Sequence, residues 1–312
     1  MARWIVALPA KDEAARLPAA LDALDAAAAS VDGPVGVLVL ANNCLDATPG
    51  VAAEAARHCR RIDVAVREVK LPPSQAHAGG ARGTAVQAAF AAFAARKTDY
   101  LLTTDADARL APDALRRMAA AFSCGADLVL GRIECVPDPF DPVPPEALAW
   151  GTPQVLWRHK VRQLAETIVT GSVPVPPLHD DYGAAGLAIT VGAYRRLGGF
   201  LAVPSDEDRT LVSAADRAGL RVDRQSGAVV RALARATGRA EGGMAAALAR
   251  NVRAARLGEA SLVERHDLTA ARLLAHPSHA HAFSEDATAL EPVEDAIAGL
   301  DRLIAAYAGP RA

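Results

Sequence analysis

Apolar and polar positions alternate along the first half of the chain in a pattern that predicts strands separated by helices. The runs with the length and composition of buried strands are 4–8, 35–40, 100–104 and 126–131, and the alternating stretch 64–69 predicts a further strand. Amphipathic or alanine-rich stretches between them predict helices at 14–29, 51–60, 85–95 and 112–122. Strands that alternate with helices form parallel sheets with right-handed crossovers. The pattern therefore predicts an α/β fold with a mostly parallel central sheet and helices on both faces.

The second half of the chain has a different composition. A proline-rich, acidic stretch at 136–145 predicts a linker, and a helix is predicted at 153–169. The other predicted elements are a strand at 187–190, helices at 192–197 and 210–218, and a strand at 220–222. From Glu259 the tail is mostly helical, and we expect it to serve packing or homodimer formation. We therefore divide the chain into residues 1–135, residues 136–250 and a helical C-terminal extension, residues 251–312.

Length, charge and cysteine content narrow the class of protein. A chain of 312 residues can form one large α/β domain with additions or two smaller domains. Its formal net charge of -2 gives no reason to expect a nucleic acid or an anionic membrane as partner. The cysteines lack CxxC spacing, so free thiols in a reducing compartment are expected. Because neither a signal peptide nor an apolar run of roughly 18 residues is present, we predict a cytoplasmic protein with no transmembrane segment.

Two carboxylates, Asp105 and Asp107, directly follow the apolar run that begins at Tyr100. A buried strand that ends in a charged turn places them at the mouth of the sheet. Residues two positions apart in such a segment can point to the same side and share one hard divalent cation. Alternatively, Asp105 begins a surface turn and Asp107 caps the helix that Pro112 opens.

Polar or glycine residues also follow other strands of the first half. Glu13, Asn42 and Asn43 come after the first two strands, and the glycine-rich stretch 79–85 opens a helix. Glycines at a helix start let backbone amides approach an anion, although a flexible loop has the same composition. In open α/β sheets, ligands bind outside the carboxyl ends of the strands. We therefore expect these segments to converge with Asp105 on one ligand site.

A second group of carboxylates, Asp206, Glu207 and Asp208, begins a predicted helix. Acidic residues in the first helical turn complement the helix dipole. Three adjacent acids are more than one helix terminus needs, so this group is also a candidate for chemistry.

The order of these motifs resembles the family 2 glycosyltransferases, which have the GT-A fold and bind nucleoside-diphosphate sugars. The similar segments are 8–13, 42–48, 80–83, 104–107, 186–200 and 207–219. The resemblance covers about the first 245 residues. It implies that residues 1–135 are the nucleotide-sugar-binding half and residues 136–250 the acceptor-binding half of a GT-A domain.

The resemblance implies a metal-dependent, inverting transfer of one sugar, a hexosyl group, from a UDP- or GDP-sugar to an acceptor hydroxyl. Asp105 and Asp107 would bind Mn²⁺ or Mg²⁺ at the donor pyrophosphate. Asp208 would act as the general base, with Glu207 as the second candidate. The residues implied at the donor are Pro9, Ala10, Glu13, Asn42, Asn43, Gly80, Arg82, Asp105, Ala106 and Arg239. Those implied at the acceptor are Asp180, Asp181 and Gly186, of which the two aspartates are further candidates for the base.

Some positions depart from the family pattern. Asn42 and Asn43 are neutral where an acidic pair is usual, so the base of the nucleotide stays open. The Gln-x-x-Arg-Trp segment of processive synthases is absent, which favours a single sugar transferred to a small-molecule, lipid-linked or saccharide acceptor. The alternatives are a retaining glycosyltransferase, a sugar nucleotidyltransferase on the same fold, and a non-catalytic protein that binds sugar nucleotides.

Overall fold

The structure is a computed structural model that describes residues 2–174, 183–235, 237–238, 244–276 and 289–308. Its strands are β1 (Trp4–Ala10), β2 (Val35–Asn42), β3 (Ile62–Val69), β4 (Tyr100–Thr103), β5 (Ala108–Leu110), β6 (Leu128–Pro137), β7 (Leu187–Thr190), β8 (Val222–Ala234), β9 (Leu262–Glu264) and β10 (Leu290–Pro292). Its helices are α1 (Leu17–Ala28), α2 (Thr48–Ala56), α3 (Ala78–Ala92), α4 (Ala114–Ser123), α5 (Pro145–Thr170), α6 (Val191–Arg196), α7 (Glu207–Arg217), α8 (Met244–Leu257), α9 (His266–Ala275) and α10 (Val293–Tyr307).

An eight-stranded sheet brings the predicted ligand-binding segments to one edge. Its strand order is β3-β2-β1-β4-β7-β6-β8-β5, and β1 pairs parallel with both β2 and β4. The carboxyl ends of these three strands therefore lie side by side. Strand β7 runs antiparallel to β4, with Leu187 opposite Thr103. As a result, the segment that precedes β7 also lies at the end of β4.

Apolar cores cover both faces of this sheet. On one face, α1 and α4 contribute Leu21 and Met118 to a buried cluster. On the other, α3, α6 and α7 contribute Phe90, Tyr194 and Leu211. The predicted α/β class is confirmed, with helices on both faces and a sheet in which most strand pairs are parallel.

Helix α3 begins at Ala78, so the predicted start at residue 85 is wrong. The imidazole Nδ1 of His77 accepts a hydrogen bond from the backbone N of Gly80 at 3.2 Å and caps the helix. A Cβ at Gly79 would come within 2.4 Å of the carbonyl oxygen of Val203. Gly79 and Gly80 therefore lie inside the helix, where neighbouring backbone packs too closely for a side chain.

Several other bounds differ from those predicted. Helix α5 begins at Pro145 and contains Pro153, so the predicted linker is shorter and the predicted helix start is wrong. Strand β8 is one long strand where the pattern predicts a short strand at 220–222. Gly131 pairs with Gln225 but Arg132 pairs with Val229, so the intervening residues of β8 form a bulge. The glycine and serine of that bulge have the composition of a turn, which explains the wrong prediction.

The chain separates into two compact units, of which the first consists of Met1–Pro137, Tyr182–Ala234 and Gly238–Gly243. The second consists of Asp138–Asp181, Arg235–Thr237 and Met244–Ala312. The predicted division into a donor half, an acceptor half and an extension concerns function and stays a prediction.

The second unit is mostly helical, as predicted for the tail. Helices α5, α9 and α10 bury Trp157, Leu164, Leu273 and Leu300 in a common core. Strands β9 and β10 pair antiparallel in a two-stranded sheet, which is not among the predicted elements. Within the residues that the structure describes, none of the helices combines the length and apolar character needed to cross a membrane.

Candidate active site

A tight turn after β4 carries the two predicted metal ligands. The backbone N of Ala108 donates to the carbonyl oxygen of Asp105 at 3.1 Å, which closes the turn around Asp105 and Asp107. Ala106, between them, is buried. The side chain of Asp105 keeps 38% of its surface exposed. The strand thus ends in a charged turn, as predicted, and the turn presents Asp105 to solvent.

Arg82 joins this turn to the start of α7. Its Nη2 donates to Oδ1 of Asp105 at 2.8 Å, and its Nε donates to Oε1 of Glu207 at 2.9 Å. Arg82 and Glu207 are both buried. Burial alone would lower the pKa of Arg82, but the charges of Asp105 and Glu207 and their hydrogen bonds outweigh it and raise that pKa. The guanidinium is therefore a permanent cation between two carboxylates that are far apart in the sequence.

The three acids at the start of α7 have different surroundings. Glu207 is buried against Arg82, whereas Asp206 is exposed and makes no capping hydrogen bond. Asp208 is half-buried, and its Oδ2 accepts a hydrogen bond from the backbone N of Ala184 at 2.9 Å. Its Oδ1 accepts another from the backbone N of Arg209 at 2.7 Å. These two bonds hold the Asp208 carboxylate in one orientation.

The backbone of Ala184 makes a second connection between Asp208 and the end of β4. The backbone N of Ala184 binds Asp208, and its carbonyl oxygen accepts a hydrogen bond from the hydroxyl of Thr103. Thr103 lies two residues before Asp105 in the sequence. We call Arg82, Asp105, Glu207 and Asp208 the carboxylate cluster. Hydrogen bonds through Arg82 and Ala184 therefore connect the end of β4 and its charged turn with the start of α7.

The segment before α7 packs over the turns of α3 that hold Arg82. Gly198 and Gly199 have φ of 82° and 80°, and a Cβ at Gly199 would come within 2.9 Å of the Tyr194 ring. The backbone N of Phe200 donates to the Tyr194 hydroxyl at 3.1 Å. Burial raises the pKa of Tyr194 to about 12, so its hydroxyl stays protonated at neutral pH. The positive φ angles and the contacts with Tyr194 thus explain the Gly-Gly-Phe sequence.

The loops after β1 and β2 form a different polar group, which we call the loop cluster (Asp12, Asn43, Asp46 and Thr48). Oδ1 of Asp12 accepts the backbone N of Leu45 at 2.6 Å and that of Asp46 at 3.2 Å. Asp46 accepts the backbone N of Thr48 at 2.9 Å, and its other oxygen accepts a backbone N of the first loop at 3.1 Å. The carboxylates of the loop cluster therefore fix the two loops to each other.

Asn43 fixes a third loop. It has a φ of 51°, a left-handed conformation that asparagine tolerates. Its Nδ2 donates to the carbonyl oxygen of Leu71 at 3.0 Å, and its Oδ1 accepts the backbone N of Leu71 at 3.2 Å. Asn42 is buried. The polar groups of the Asn43 side chain are thus engaged with the segment after β3.

Asp12, Cys44 and Asp46 also offer donor atoms that lie within 4.8 Å of one another. Burial raises the pKa of the Cys44 thiol, which disfavours the thiolate that binds metals. Both carboxylates already accept backbone amides. We therefore interpret this group as a loop connection.

The remaining predicted residues have varied positions. Glu13 is buried, with its Oε2 3.6 Å from Nη1 of Arg16. Pro9 and Ala10 end β1. Gly186 is buried, and a Cβ there would come within 3.1 Å of Val230. Asp180, Asp181 and Arg239 lie outside the described residues.

Sequence reasoning missed the contacts that hold the cluster together. It placed Arg82 at the donor, but not between Asp105 and Glu207, and it did not single out Thr103 or Ala184. These contacts join residues up to 125 positions apart, so no local pattern marks them. The sequence offered one signal, an arginine within the glycine- and alanine-rich stretch 79–85.

Comparison with known protein families identifies the family to which the chain is related. A family model described as glycosyltransferase like family 2 matches residues 3–256 of the chain. No curated protein matches the chain.

Several solved structures are similar to this chain, at low sequence identity. TarS 1-349 of S. aureus in complex with UDP-GlcNAc is 15% identical, with 90% of this chain and 72% of that chain covered and a TM-score of 0.49. The mannosyltransferase PcManGT from Pyrobaculum calidifontis, in complex with GDP-Man and Mn²⁺, is 18% identical, with coverages of 97% and 85% and a TM-score of 0.48. The glucosyl-3-phosphoglycerate synthase from Mycobacterium tuberculosis, in complex with Mg²⁺ and UDP, is 19% identical, with coverages of 83% and 80% and a TM-score of 0.42.

Proposed function

We propose a specific reaction for this chain, which belongs to glycosyltransferase-like family 2 and is a glycosyltransferase. The chain transfers one hexosyl group from a UDP- or GDP-sugar to an acceptor hydroxyl. The reaction needs a divalent cation and inverts the anomeric carbon. The observation that carries this proposal is the hydrogen-bonded path from Asp105 through Arg82 to Glu207, the residue before Asp208.

The residues of the turn suit a hard divalent cation. Asp105 and Asp107 offer carboxylate oxygens, which Mg²⁺ and Mn²⁺ prefer, and Asp105 is partly open to solvent. When bound, Mn²⁺ or Mg²⁺ supplies positive charge that stabilises the departing nucleoside diphosphate. Arg82 holds Asp105 from the buried side, so its orientation is fixed before any ligand arrives.

Asp208 removes the proton from the acceptor hydroxyl. The acceptor oxygen then forms a bond to the anomeric carbon while the bond from that carbon to the diphosphate oxygen breaks. The proton passes to the Asp208 carboxylate, and the nucleoside diphosphate leaves with the electron pair. Attack from the face opposite the leaving group inverts the configuration. The backbone amides of Ala184 and Arg209 orient the Asp208 carboxylate for this task.

The donor nucleotide is assigned to the carboxyl ends of β1, β2 and β4, where ligands bind in open α/β sheets. The described residues assigned to this role are Pro9, Ala10, Glu13, Asn42, Asn43, Gly80, Arg82, Asp105 and Ala106. Arg239, Asp180, Asp181 and Gly186 keep their proposed roles at the pyrophosphate and the acceptor. The acceptor, a homodimer and a cytoplasmic location stay predictions.

A screen of sugar nucleotides tests the proposed function without a known acceptor. Thermal unfolding is measured with UDP-, GDP- and dTDP-sugars, each with Mn²⁺, with Mg²⁺ and with EDTA. We expect one nucleotide class to raise the unfolding temperature only when a divalent cation is present, because a ligand that binds the folded state stabilises it. Slow release of the nucleoside diphosphate to water should accompany that shift. A chain that neither binds nor turns over any of these donors contradicts the proposal.

A further inference from the structure

Arg82 makes its two carboxylate contacts from different nitrogens of one buried guanidinium. Nη2 binds Asp105 and Nε binds Glu207, at 2.8 and 2.9 Å. The Arg82 side chain is 7% exposed and that of Glu207 is 6% exposed, whereas Asp105 is 38% exposed. The three residues therefore form a path from a buried acid to a carboxylate that a ligand can reach.

The charges along this path sum to -1, from two carboxylates and one guanidinium. If Glu207 were neutral, the sum would be zero. No second negative charge would then offset the effect of the buried Arg82 guanidinium on Asp105. A nearby positive charge disfavours a second cation on the same carboxylate, and the effect is strong where water is excluded. Glu207 thus offsets the charge of Arg82 while Arg82 keeps Asp105 in place.

We propose that Glu207 is a positioning residue that acts through Arg82 to maintain the cation affinity of Asp105, and that it does not serve as the base. This inference rests on the proposed function, because it assumes that Asp105 binds a divalent cation. It separates the adjacent acids of α7 by role. Asp208 is half-buried and binds backbone amides, whereas Glu207 is buried and binds Arg82.

Two substitutions of Glu207 separate charge from shape. Glu207→Gln keeps the length of the side chain and an oxygen that accepts from Nε of Arg82, but it removes the charge. Glu207→Asp keeps the charge and shortens the side chain. If Glu207 only filled space, the glutamine variant would resemble the wild type more closely than the aspartate variant does. The inference predicts the reverse order.

The affinity for Mn²⁺ is measured from the electron paramagnetic resonance signal of free Mn²⁺, in the presence of whichever of UDP and GDP the wild type binds. Glu207→Gln should weaken Mn²⁺ binding by about tenfold, the range seen when partners of metal ligands are removed. Glu207→Asp should lose less affinity than Glu207→Gln, because it keeps the negative charge next to Arg82. Asp206→Asn, an exposed neighbour outside the cluster, is the matched control and should bind as the wild type does.

The outcomes distinguish this inference from the proposed function. If the wild type binds Mn²⁺ and Glu207→Gln binds it equally well but loses turnover, Glu207 is the base and the inference is overturned. If the wild type shows no Mn²⁺-dependent nucleotide binding, the proposed function fails and the inference fails with it. Circular dichroism checks the fold of each variant. Should Glu207→Gln not fold, Glu207→Asp still decides, because a tenfold loss of Mn²⁺ affinity in that folded variant contradicts a role based on charge.

Discussion

The loop cluster and the carboxylate cluster lie in the same compact unit and use the same kinds of side chain for different purposes. In the loop cluster, Asp12 and Asp46 accept hydrogen bonds from backbone amides of the two loops. In the carboxylate cluster, Asp105 and Glu207 bind a buried guanidinium. A carboxylate bound to amides completes the hydrogen bonding of the backbone, whereas carboxylates around one cation leave a net negative charge available to a ligand.

This difference shows why an acidic residue at a strand end does not by itself identify a metal site. Asp12, Cys44 and Asp46 bring three donor atoms close together, yet their hydrogen bonds connect loops. Asp105 faces solvent on one side and Arg82 on the other. Substitutions of Asp12 and Asp46 should therefore affect stability first, and substitutions in the carboxylate cluster or its turn should affect ligands and turnover first.

The largest expected effect belongs to Asp208→Asn. The amide side chain keeps nearly the same shape but cannot take the proton of the acceptor, so turnover should fall about a thousandfold, within the range for loss of a general base. Donor binding, measured by calorimetry with Mn²⁺, should stay near the wild-type value. Asp206→Asn serves as the control for a charge lost from the same helix start. Retained turnover in Asp208→Asn would assign the base to another residue.

A smaller but still large effect is expected for Asp107→Ala. The loss of one of two carboxylate ligands should weaken Mn²⁺-dependent binding of UDP or GDP by about a hundredfold, because few protein ligands hold the cation. Calorimetry with Mn²⁺ and with EDTA measures this difference. The roles assigned to the two clusters would be reversed if Asp46→Ala abolished the Mn²⁺ dependence of nucleotide binding and Asp107→Ala left it intact.

The smallest effect is expected for Asp46→Ala, and it should appear in stability. This change removes the acceptor for the backbone N of Thr48 and for a backbone N of the neighbouring loop. Loss of a carboxylate that accepts two backbone amides costs about 1–2 kcal/mol of unfolding free energy. Urea denaturation measures that loss. Turnover per folded molecule should change little, and a large fall in turnover at unchanged stability would move Asp46 into the reactive site.

The sequence predicted the order of the longer elements up to β6, because most of their strands have continuous apolar runs, but it did not predict the three-residue strand β5. It also predicted the charged turn at Asp105 and the acids at the start of α7, since both follow local patterns, although α7 begins at Glu207 and not at the predicted residue 210. It did not predict that Arg82 joins them, because that contact depends on how α3 and α7 pack on the same face of the sheet. Likewise, the capping imidazole of His77 has no strong signature in an alanine-rich sequence.

The most direct test of the central claim is the position of Mn²⁺ in crystals grown with Mn²⁺ and the nucleoside diphosphate that the protein binds. Anomalous scattering at the manganese edge locates the ion independently of any mutation. We predict a peak at the carboxylates of Asp105 and Asp107. A peak at Asp12, Cys44 and Asp46, or nucleotide bound without any peak near Asp105, would contradict the account.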